Sequence, residues 1–416
     1  MIAAGLTALA VSACGPADRR PIVASHRVEP AGQPAVEFTL TIEREHLRDL
    51  SRFVGAARAT IETLCERFGA FPRDSISIVD PPLAGSAPIA SADITLARTP
   101  WLSVPAAMAP ELAVARGISR WYWREIVGPA MPAWFVDGLA EHVARQTTIP
   151  LFERISLPGG YAVLEQRVFG GLVPRAVSLR MLPDTDGEPL TAYRRQQTVD
   201  PLGQRLSSGD ARSLEAKTVF ALATLERWLG RPAFDQVLSE FARRMRGRTP
   251  AIAEFLTVAS ETSGQDLSWL FDQAFGSSAT FDYAVERLES VPTNDGLFET
   301  TVVAARLGNA LFTGSSGQPS GSFERGRGIA VRVSFADGET RTDYWDGRRT
   351  SKTFVYRSRA RAESVEVDPD HIVLLDMHPV NNSRSLTPRA GVAATRWSAR
   401  WLLWLEDWLL TCAALS

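Results

Sequence analysis

Two acidic residues in the segment PAWFVDGLAEHVARQ, residues 132–146, have the spacing of a pair that can hold a cation. The segment is predicted to be a helix, because apolar residues such as Leu139 and Val143 recur at the helical period. Asp137 and Glu141 are four residues apart and therefore share one polar face of that helix. Carboxylates on one face can bind a metal ion, so this helix is a candidate source of ligands.

A zinc hydrolase of the HExxH type takes two histidines, four residues apart, from an upstream helix and a glutamate from a downstream helix. The upstream segment, residues 110–131, has the apolar spacing of a helix at Ile118, Tyr122 and Ile126. It contains no histidine. The histidines of the whole chain are scattered, and no two are four apart: His26, His46, His142, His371 and His378.

The composition excludes several classes of protein. With 416 residues, 45% of them hydrophobic, the chain is long enough for two or three domains with buried cores. Its basic and acidic side chains are interspersed and leave a net charge of -2, so no nucleic-acid partner is expected. Cys14, Cys65 and Cys412 are too few and too far apart for a metal knuckle or a disulfide framework.

The N-terminus has the pattern of an exported bacterial lipoprotein. A short apolar run ends in small residues before Cys14, the expected lipid-attachment site. The run lacks the basic residues that usually precede such a segment, and an apolar strand or a truncated start is the alternative. Export would place the protein in the cell envelope, either lipid-anchored or periplasmic. No other run is long and apolar enough for a transmembrane helix.

The order of periodic segments predicts an α+β protein in four parts. Residues 1–34 are an export signal and linker, residues 35–280 a mostly helical domain with a small N-terminal sheet, and residues 281–385 a β-sandwich. Glycine and proline in GPAMP separate the two helices discussed above. Residues 147–210 have many Pro, Gly and Gln positions without a sustained period, which predicts an irregular connection.

The fourth part, residues 386–416, is predicted to be an amphipathic helix. One face carries tryptophans at intervals of four, three and four: Trp397, Trp401, Trp404 and Trp408. Tryptophan favours the membrane interface, so one interpretation places this helix along a bilayer surface. The other packs the same face against the β-domain of the chain itself, since aromatic rows at helical spacing usually belong to a core.

From about residue 35 onward the sequence resembles the aminopeptidase N-like gluzincin family of zinc peptidases, whose helical domain is thermolysin-like. PAWFVDGLAEHVA is similar to that family's segment of Trp, Asn-Glu-Gly and Ala-Glu-Tyr, in which the glutamate before glycine binds zinc; here it is Asp137. LEAKTVFALATLERW resembles the stretch that begins Tyr-x-Lys-Gly. SGQDLSWLFDQAF resembles the end of the helical domain, and VDPDHIVLLDMHPVNNS the tail of the β-sandwich that often follows.

The resemblance implies a zinc site, but the matched positions hold residues unable to form one. Aligning the upstream helix by its aromatic pair places the HExxH residues on Arg116, Gly117 and Arg120. A guanidinium stays protonated and has no lone pair to give, so neither arginine can bind zinc. On this alignment Gly117 replaces the glutamate that acts as general base, and the proton acceptor is lost.

A second alignment fails in the same way. Counting the family's usual spacing back from Asp137 places the motif on Val114, Ala115 and Ile118. None of these side chains can bind a metal ion, and Ala115 would replace the general base.

Other groups that the resemblance implies are also missing. The tyrosine expected two residues before Lys217, which stabilises the oxyanion in the family, is replaced by Glu215, whose charge would oppose an oxyanion. The glycine after Lys217 is Thr218. The Gly-x-Met-Glu-Asn segment that grips a substrate's amino terminus has no counterpart near SAPIASADITLA, and the large preceding β-domain has none in this sequence.

These losses favour a catalytically inactive, aminopeptidase-like envelope protein without a cofactor, which binds an unidentified peptide or protein or has a structural role. We predict that its arginines pair with acidic residues in a vestigial site. The alternative is that the arginines point into solvent, as helix arginines usually do. The vestigial site consists of Arg116, Gly117, Arg120, Asp137, Glu141 and Glu215.

The rival hypothesis is an active zinc aminopeptidase with a rearranged metal site. His142 would join Asp137 and Glu141, with Glu111 or Glu125 as a further ligand. Adjacent residues such as Glu141 and His142 point about 100° apart on a helix, so they converge poorly on one ion. A serine hydrolase has less support, since the sequence contains no Gly-x-Ser-x-Gly.

Overall fold

The computed structural model describes residues 21–80, 92–96, 109–129, 131–155, 211–313 and 328–387. Its first sheet has four strands in the order β1-β2-β3-β4. They are β1 (Ile22–Val28), β2 (Val36–Ile42), β3 (Ser75–Val79) and β4 (Ile94–Thr95). Strand β1 is antiparallel to β2, whereas β2, β3 and β4 run parallel. The alternate residues Phe38 and Leu40 of β2 are buried, because they point to the same face of the sheet.

Strand β1 differs from the sequence prediction, which assigns residues 1–34 to a signal and linker. Half-buried and exposed residues alternate along β1, and only Val28 is fully buried. An edge strand buries little apolar surface, so its composition carries a weak signal. Residues 1–20, with the predicted export signal and Cys14, lie outside the described residues.

Seven α-helices occur in the described part of the chain, and the short 3-10 helix Arg44–Asp49 leads into the first. They are α1 (Leu50–Phe68), α2 (Ala109–Val127), α3 (Ala133–Ile155), α4 (Ala211–Leu229), α5 (Arg231–Met245), α6 (Ile252–Ser263) and α7 (Ser268–Ala274). Helices α2 and α3 are separated at the predicted GPAMP segment, since Gly128 is left-handed, with a φ of +67°.

Helices α3 and α4 run parallel and in close contact. Gly138 of α3 faces Thr218 of α4, and further along both helices Gln146 donates a hydrogen bond to Glu226. A Cβ atom at Gly138 would lie 2.6 Å from the Thr218 Cβ, closer than two carbon atoms approach without a shift. Glycine is therefore required at position 138 for this helix contact.

Helix α3 continues beyond the point where the sequence predicts an irregular connection from residue 147. Thr147 and Thr148 are buried, and their hydroxyls donate hydrogen bonds to Val143 O and Arg145 O, both at 3.1 Å. These bonds within the helix satisfy the polar side chains that interrupt the apolar period. The helix is described as far as Ile155, and the rest of the predicted connection, residues 156–210, lies outside the described residues.

Seven further strands form two antiparallel sheets. They are β5 (Tyr283–Pro292), β6 (Phe298–Arg306), β7 (Ile329–Phe335), β8 (Thr340–Trp345), β9 (Ser351–Ser358), β10 (Ala362–Val367) and β11 (Ser383–Ser385). One sheet has the order β5-β6-β9 and the other β11-β10-β7-β8. The sheets meet through buried aromatic rings, such as Phe335 of β7 and Tyr356 of β9, 6.4 Å apart. In β7 every second residue is buried, the pattern of a strand with one core face.

The segment after β10 joins the strands to the helices. Leu374 N donates to the Thr224 hydroxyl of α4 at 3.1 Å, and Met377 N donates to Phe281 O at 2.9 Å. Between them the buried Asp376 carboxylate accepts hydrogen bonds from Tyr283 N at 3.1 Å and His378 N at 2.8 Å. The same segment has a second buried carboxylate, Asp368, which accepts from Ile372 N at 2.9 Å and Val373 N at 2.8 Å.

Burial raises the pKa of Asp376 from 3.8 to about 6, and the nearby Asp282 carboxylate acts in the same direction. The folded state therefore holds this proton more tightly than the unfolded chain, and stability falls as the pH rises from about 4 to about 6, by at most about 3 kcal/mol. We expect Asp376→Asn to remove this part of the pH dependence. Urea unfolding across that range tests it, and an unchanged slope in the variant would assign the dependence to another group.

The described residues thus combine helices and sheets, as an α+β chain should. Within the described ranges no helix is both long enough and apolar enough to span a bilayer. All four tryptophans of the helix predicted over residues 386–416 follow Thr387, the last described residue, and so lie outside the described residues.

Candidate functional site

Three arginines lie one turn apart on helix α2, and all three contact acidic residues of the neighbouring helices. We call Arg116, Arg120 and Arg124 the arginine row. They face Asp137 and Glu141 of α3 and, in the case of Arg120, Glu215 of α4. This arrangement follows from the helical period, since residues four apart share a face.

Glu141 is the most buried carboxylate of the site, with a side chain only 5% exposed. Arg116 grips both of its oxygens: Nη2 donates to Oε1 at 2.6 Å and Nε donates to Oε2. Arg145, one turn further along α3, donates from Nε to Oε1 at 2.8 Å. Burial by itself would raise the pKa of Glu141, but Arg116 and then Arg145 outweigh it and hold that pKa below its ordinary value. The carboxylate is therefore ionised, and both of its oxygens accept hydrogen bonds from arginine.

Arg120 lies between two carboxylates. Its Nε is 3.0 Å from Asp137 Oδ1, and its Nη2 is 3.5 Å from Glu215 Oε1. The Nε–H of Arg120 is not aligned for a hydrogen bond, although the distance to Asp137 is that of an ion pair. Arg124 Nη2 reaches the same Asp137 oxygen at 3.0 Å. The ion pairs expected for Arg116 and Arg120 are present, and the arginines are not simply directed into solvent.

Glu215 is the most weakly stabilised anion of the site. Burial raises its pKa; the Arg120 guanidinium lowers it only in part, and the Glu141 and Asp137 carboxylates raise it further. Its position on α4 is the one where the family resemblance implies an oxyanion-stabilising tyrosine. A carboxylate here cannot stabilise an oxyanion while it is ionised.

The position of the implied general base, Gly117, lies against the first sheet. A Cβ atom at Gly117 would lie 2.9 Å from Ile94 Cγ2 and 3.3 Å from Leu96 Cδ2, and both of those residues are buried. Strand β4 and its following residue thus occupy the space into which a longer side chain at position 117 would extend.

The two alignments of the missing zinc motif differ in where the structure places them. Val114, Ala115 and Ile118 are completely buried. Arg116 and Arg120, the positions given by the first alignment, contact those acidic residues directly. The arginine alignment is therefore the one whose side chains meet Asp137 and Glu141.

The residues of the rival ligand set contact different partners. Glu111 receives two hydrogen bonds from Arg52, at 2.7 and 2.8 Å, and Glu125 contacts Arg73 at 3.3 Å. His142 Nε2 lies 2.9 Å from Glu226 Oε2 of α4. These side chains do not converge on one point. Over the described ranges, no group of three or more His, Cys, Asp and Glu residues could hold a metal ion.

The remaining residues singled out on α4 have packing roles. Lys217 Nζ donates to Ser277 O at 3.0 Å, and burial lowers the pKa of this lysine to about 8. Thr218 packs against Gly138 and donates its hydroxyl to Leu214 O at 2.8 Å. Lys217 and Thr218 therefore fix α4 against its neighbours.

Sequence reasoning missed two arginines of this site. Arg145 is four residues after Glu141 and Arg124 is four residues after Arg120, so the same periodicity could have found both. The sequence analysis singled out neither arginine, because the family resemblance assigns no role to either position.

No protein-family model matches the chain, and no curated protein sequence matches it. Among solved structures, the chain is similar to the crystal structure of Legionella pneumophila aminopeptidase A in complex with aspartic acid. The identity is 11%, the match covers 86% of this chain and 38% of that one, and the TM-score is 0.50. This likeness concerns the fold alone, and the chain spans well under half of the aminopeptidase's length.

An M1 zinc metallopeptidase from Deinococcus radiodurans, a mutant bound to a Tyr-Ser-Ala substrate, is a second similar structure. Its identity to this chain is 14%, over 62% of this chain and 52% of that one, with a TM-score of 0.37. That TM-score is too low to support any further statement.

Proposed function

We propose that this chain is a degenerate relative of the aminopeptidase N-like gluzincins that does not hydrolyse peptides, and that it has a binding or structural role in the cell envelope. The proposal rests on one observation: Arg116 donates hydrogen bonds to both carboxylate oxygens of the buried Glu141. The fold likeness to an aminopeptidase supports the scaffold. The arginine row accounts for the loss of its reaction.

The zinc ion that the scaffold implies does not fit the residues present. Zinc needs several side chains with free lone pairs around one point. Here the nearest carboxylates, Asp137 and Glu141, already accept from arginines, and two guanidinium groups repel a divalent cation. We therefore derive no catalytic step through a metal ion.

Hydrolysis of fluorogenic aminoacyl substrates tests the proposal. We expect no release above the buffer rate, with or without added Zn²⁺, because a zinc-bound water, a general base and an oxyanion donor are all required. An Asp137→Asn variant purified in the same way identifies contamination, because the rival metal site needs Asp137 whereas contaminating activity is equal in both preparations. Hydrolysis that a chelator abolishes and Zn²⁺ restores, in the unmodified protein only, would contradict the proposal.

The envelope location in this proposal rests on the sequence around Cys14 alone. Metabolic labelling with a palmitate analogue checks it: we expect label in the membrane fraction of the expressing bacterium, and none in a Cys14→Ser variant. Unlabelled protein in the cytosol would contradict the envelope location, and the proposed loss of catalysis would not be affected.

A further inference from the structure

Strand β9 and the turns at its two ends carry positive charge alone. Residues 347–361 contain six basic residues and no acidic one, although the whole chain has a net charge of -2. All six side chains are exposed, and we call them the basic strip: Arg348, Arg349, Lys352, Arg357, Arg359 and Arg361. Strand β9 has eight residues, so the two turns that continue the strip lie about 25 Å apart.

Two members of the basic strip contact carboxylates, and both contacts are long. Arg348 Nε lies 4.0 Å from Asp346 Oδ2, and Arg357 Nε lies 3.5 Å from Glu299 Oε2. The two arginine side chains are 78% and 65% exposed. Because solvent screens such pairs, both guanidinium groups keep donors that can bind a further anion.

The other four members have no acidic partner in the described part of the chain. Lys352 donates to a backbone oxygen, Tyr344 O, at 3.0 Å. The remaining three form neither an ion pair nor a hydrogen bond through their side chains: Arg349, Arg359 and Arg361. Asp343 and Glu363 lie on the neighbouring strands β8 and β10, and even if both are counted with the two contacting carboxylates, two positive charges stay unmatched.

The basic strip lacks the features that a peptide or nucleic-acid partner uses. At the edge of the sheet, Arg357 O accepts a hydrogen bond from Arg341 Nη1 of β8 at 2.9 Å, which an added peptide strand would displace. The aromatic rings of β9, Phe354 and Tyr356, are buried and cannot stack on bases. What remains is a row of exposed cations, which is complementary to an extended surface of negative charge.

We propose that the basic strip docks the β-sandwich on the surface of a bilayer that contains anionic lipids. Such a bilayer presents negative headgroups over a plane, so it can contact both ends of the strip at once. Each basic residue held near an anionic bilayer strengthens attachment about fivefold. This inference goes beyond the proposed function, because it requires neither a lipid on Cys14 nor the loss of catalysis.

Co-sedimentation with lipid vesicles tests the inference. The full-length Cys14→Ser protein is used, so that no attached lipid contributes, with vesicles of phosphatidylcholine alone or mixed with phosphatidylglycerol. We expect stronger binding to the anionic vesicles, and loss of this difference in about 1 M salt, where the Debye length is about 3 Å. Arg359→Gln combined with Arg361→Gln should weaken binding to the anionic vesicles about 20-fold or more, whereas Lys at both positions should preserve it.

Arg58→Gln combined with Arg243→Gln is the matched control, because both arginines are exposed, lie on helices and change the total charge equally. It should leave binding unchanged. Equal binding to the two kinds of vesicle, an unaffected Gln variant of the strip, or a control that weakens binding as much would each overturn the inference. A single-stranded oligonucleotide that displaces the protein from the anionic vesicles would also overturn it, in favour of a nucleic-acid partner. None of these results bears on the proposed loss of catalysis.

Discussion

Glu141→Ala is expected to lower the free energy of unfolding by about 3–5 kcal/mol, because it removes the buried carboxylate that Arg116 and Arg145 share. Arg116 is 31% exposed and can turn towards water, but the side chain of Arg145 is only 8% exposed and stays where it is. The loss is therefore expected to come mainly from Arg145. Urea unfolding of the variant and the unmodified protein at about pH 7 measures it.

Glu289→Ala is the control, since Glu289 on β5 also pairs with an arginine but both partners are half exposed. Little change is expected there, because solvent screens an exposed pair. The pH provides a second check. The folded-state pKa of Glu141 lies below its ordinary 4.5, so its contribution is complete above that pH and disappears as the pH falls through the folded value. A Glu141→Ala loss no larger than that of the control would mean that the ion pair is not the support we describe.

Gly117→Glu restores the residue type of a general base, and we expect it to lower the free energy of unfolding by about 2–5 kcal/mol. The new side chain extends from a Cβ position already 2.9 Å from Ile94 Cγ2. It must either displace the edge strand β4 or bury a carboxylate against apolar side chains. Chemical denaturation measures the loss, and a shift of β4 would appear in hydrogen exchange of its amides.

Gly117→Ala separates this effect from the loss of glycine. Its single methyl group meets Ile94 Cγ2 and Leu96 Cδ2, which must shift slightly, but alanine favours the helix by about 1 kcal/mol, so little net change is expected. Ile94→Ala should partly rescue Gly117→Glu, which gives a favourable coupling energy in a double-mutant cycle. A Gly117→Glu protein as stable as Gly117→Ala would show that the space for a general base still exists.

The ion pairs were predictable because they depend on local spacing. Arg116 and Arg120 are four apart on one helix, and Asp137 and Glu141 are four apart on the next, so two polar faces had to meet where the helices pack. The helix boundary at GPAMP was predictable for a similar reason, since Gly128 adopts the left-handed conformation that glycine allows.

The features that the sequence did not reveal depend on contacts between distant residues. Strand β1 is recognisable only through its pairing with β2, because its own burial is slight. The space beside Gly117 is filled by Ile94, which is 23 residues away in the sequence and packs there only in the folded chain. The continuation of α3 through Thr147 and Thr148 is favoured by their buried hydroxyls, which bond within the helix.

Zinc content tests most directly whether arginine has replaced the metal ion. The measurement is elemental analysis of protein purified without chelator and then dialysed against Zn²⁺ and metal-free buffer in turn. We predict far less than one zinc ion per chain, and the same content in an Asp137→Asn variant, because Asp137 already serves Arg120 and Arg124. One zinc ion per chain that is absent from the Asp137→Asn variant would contradict the account.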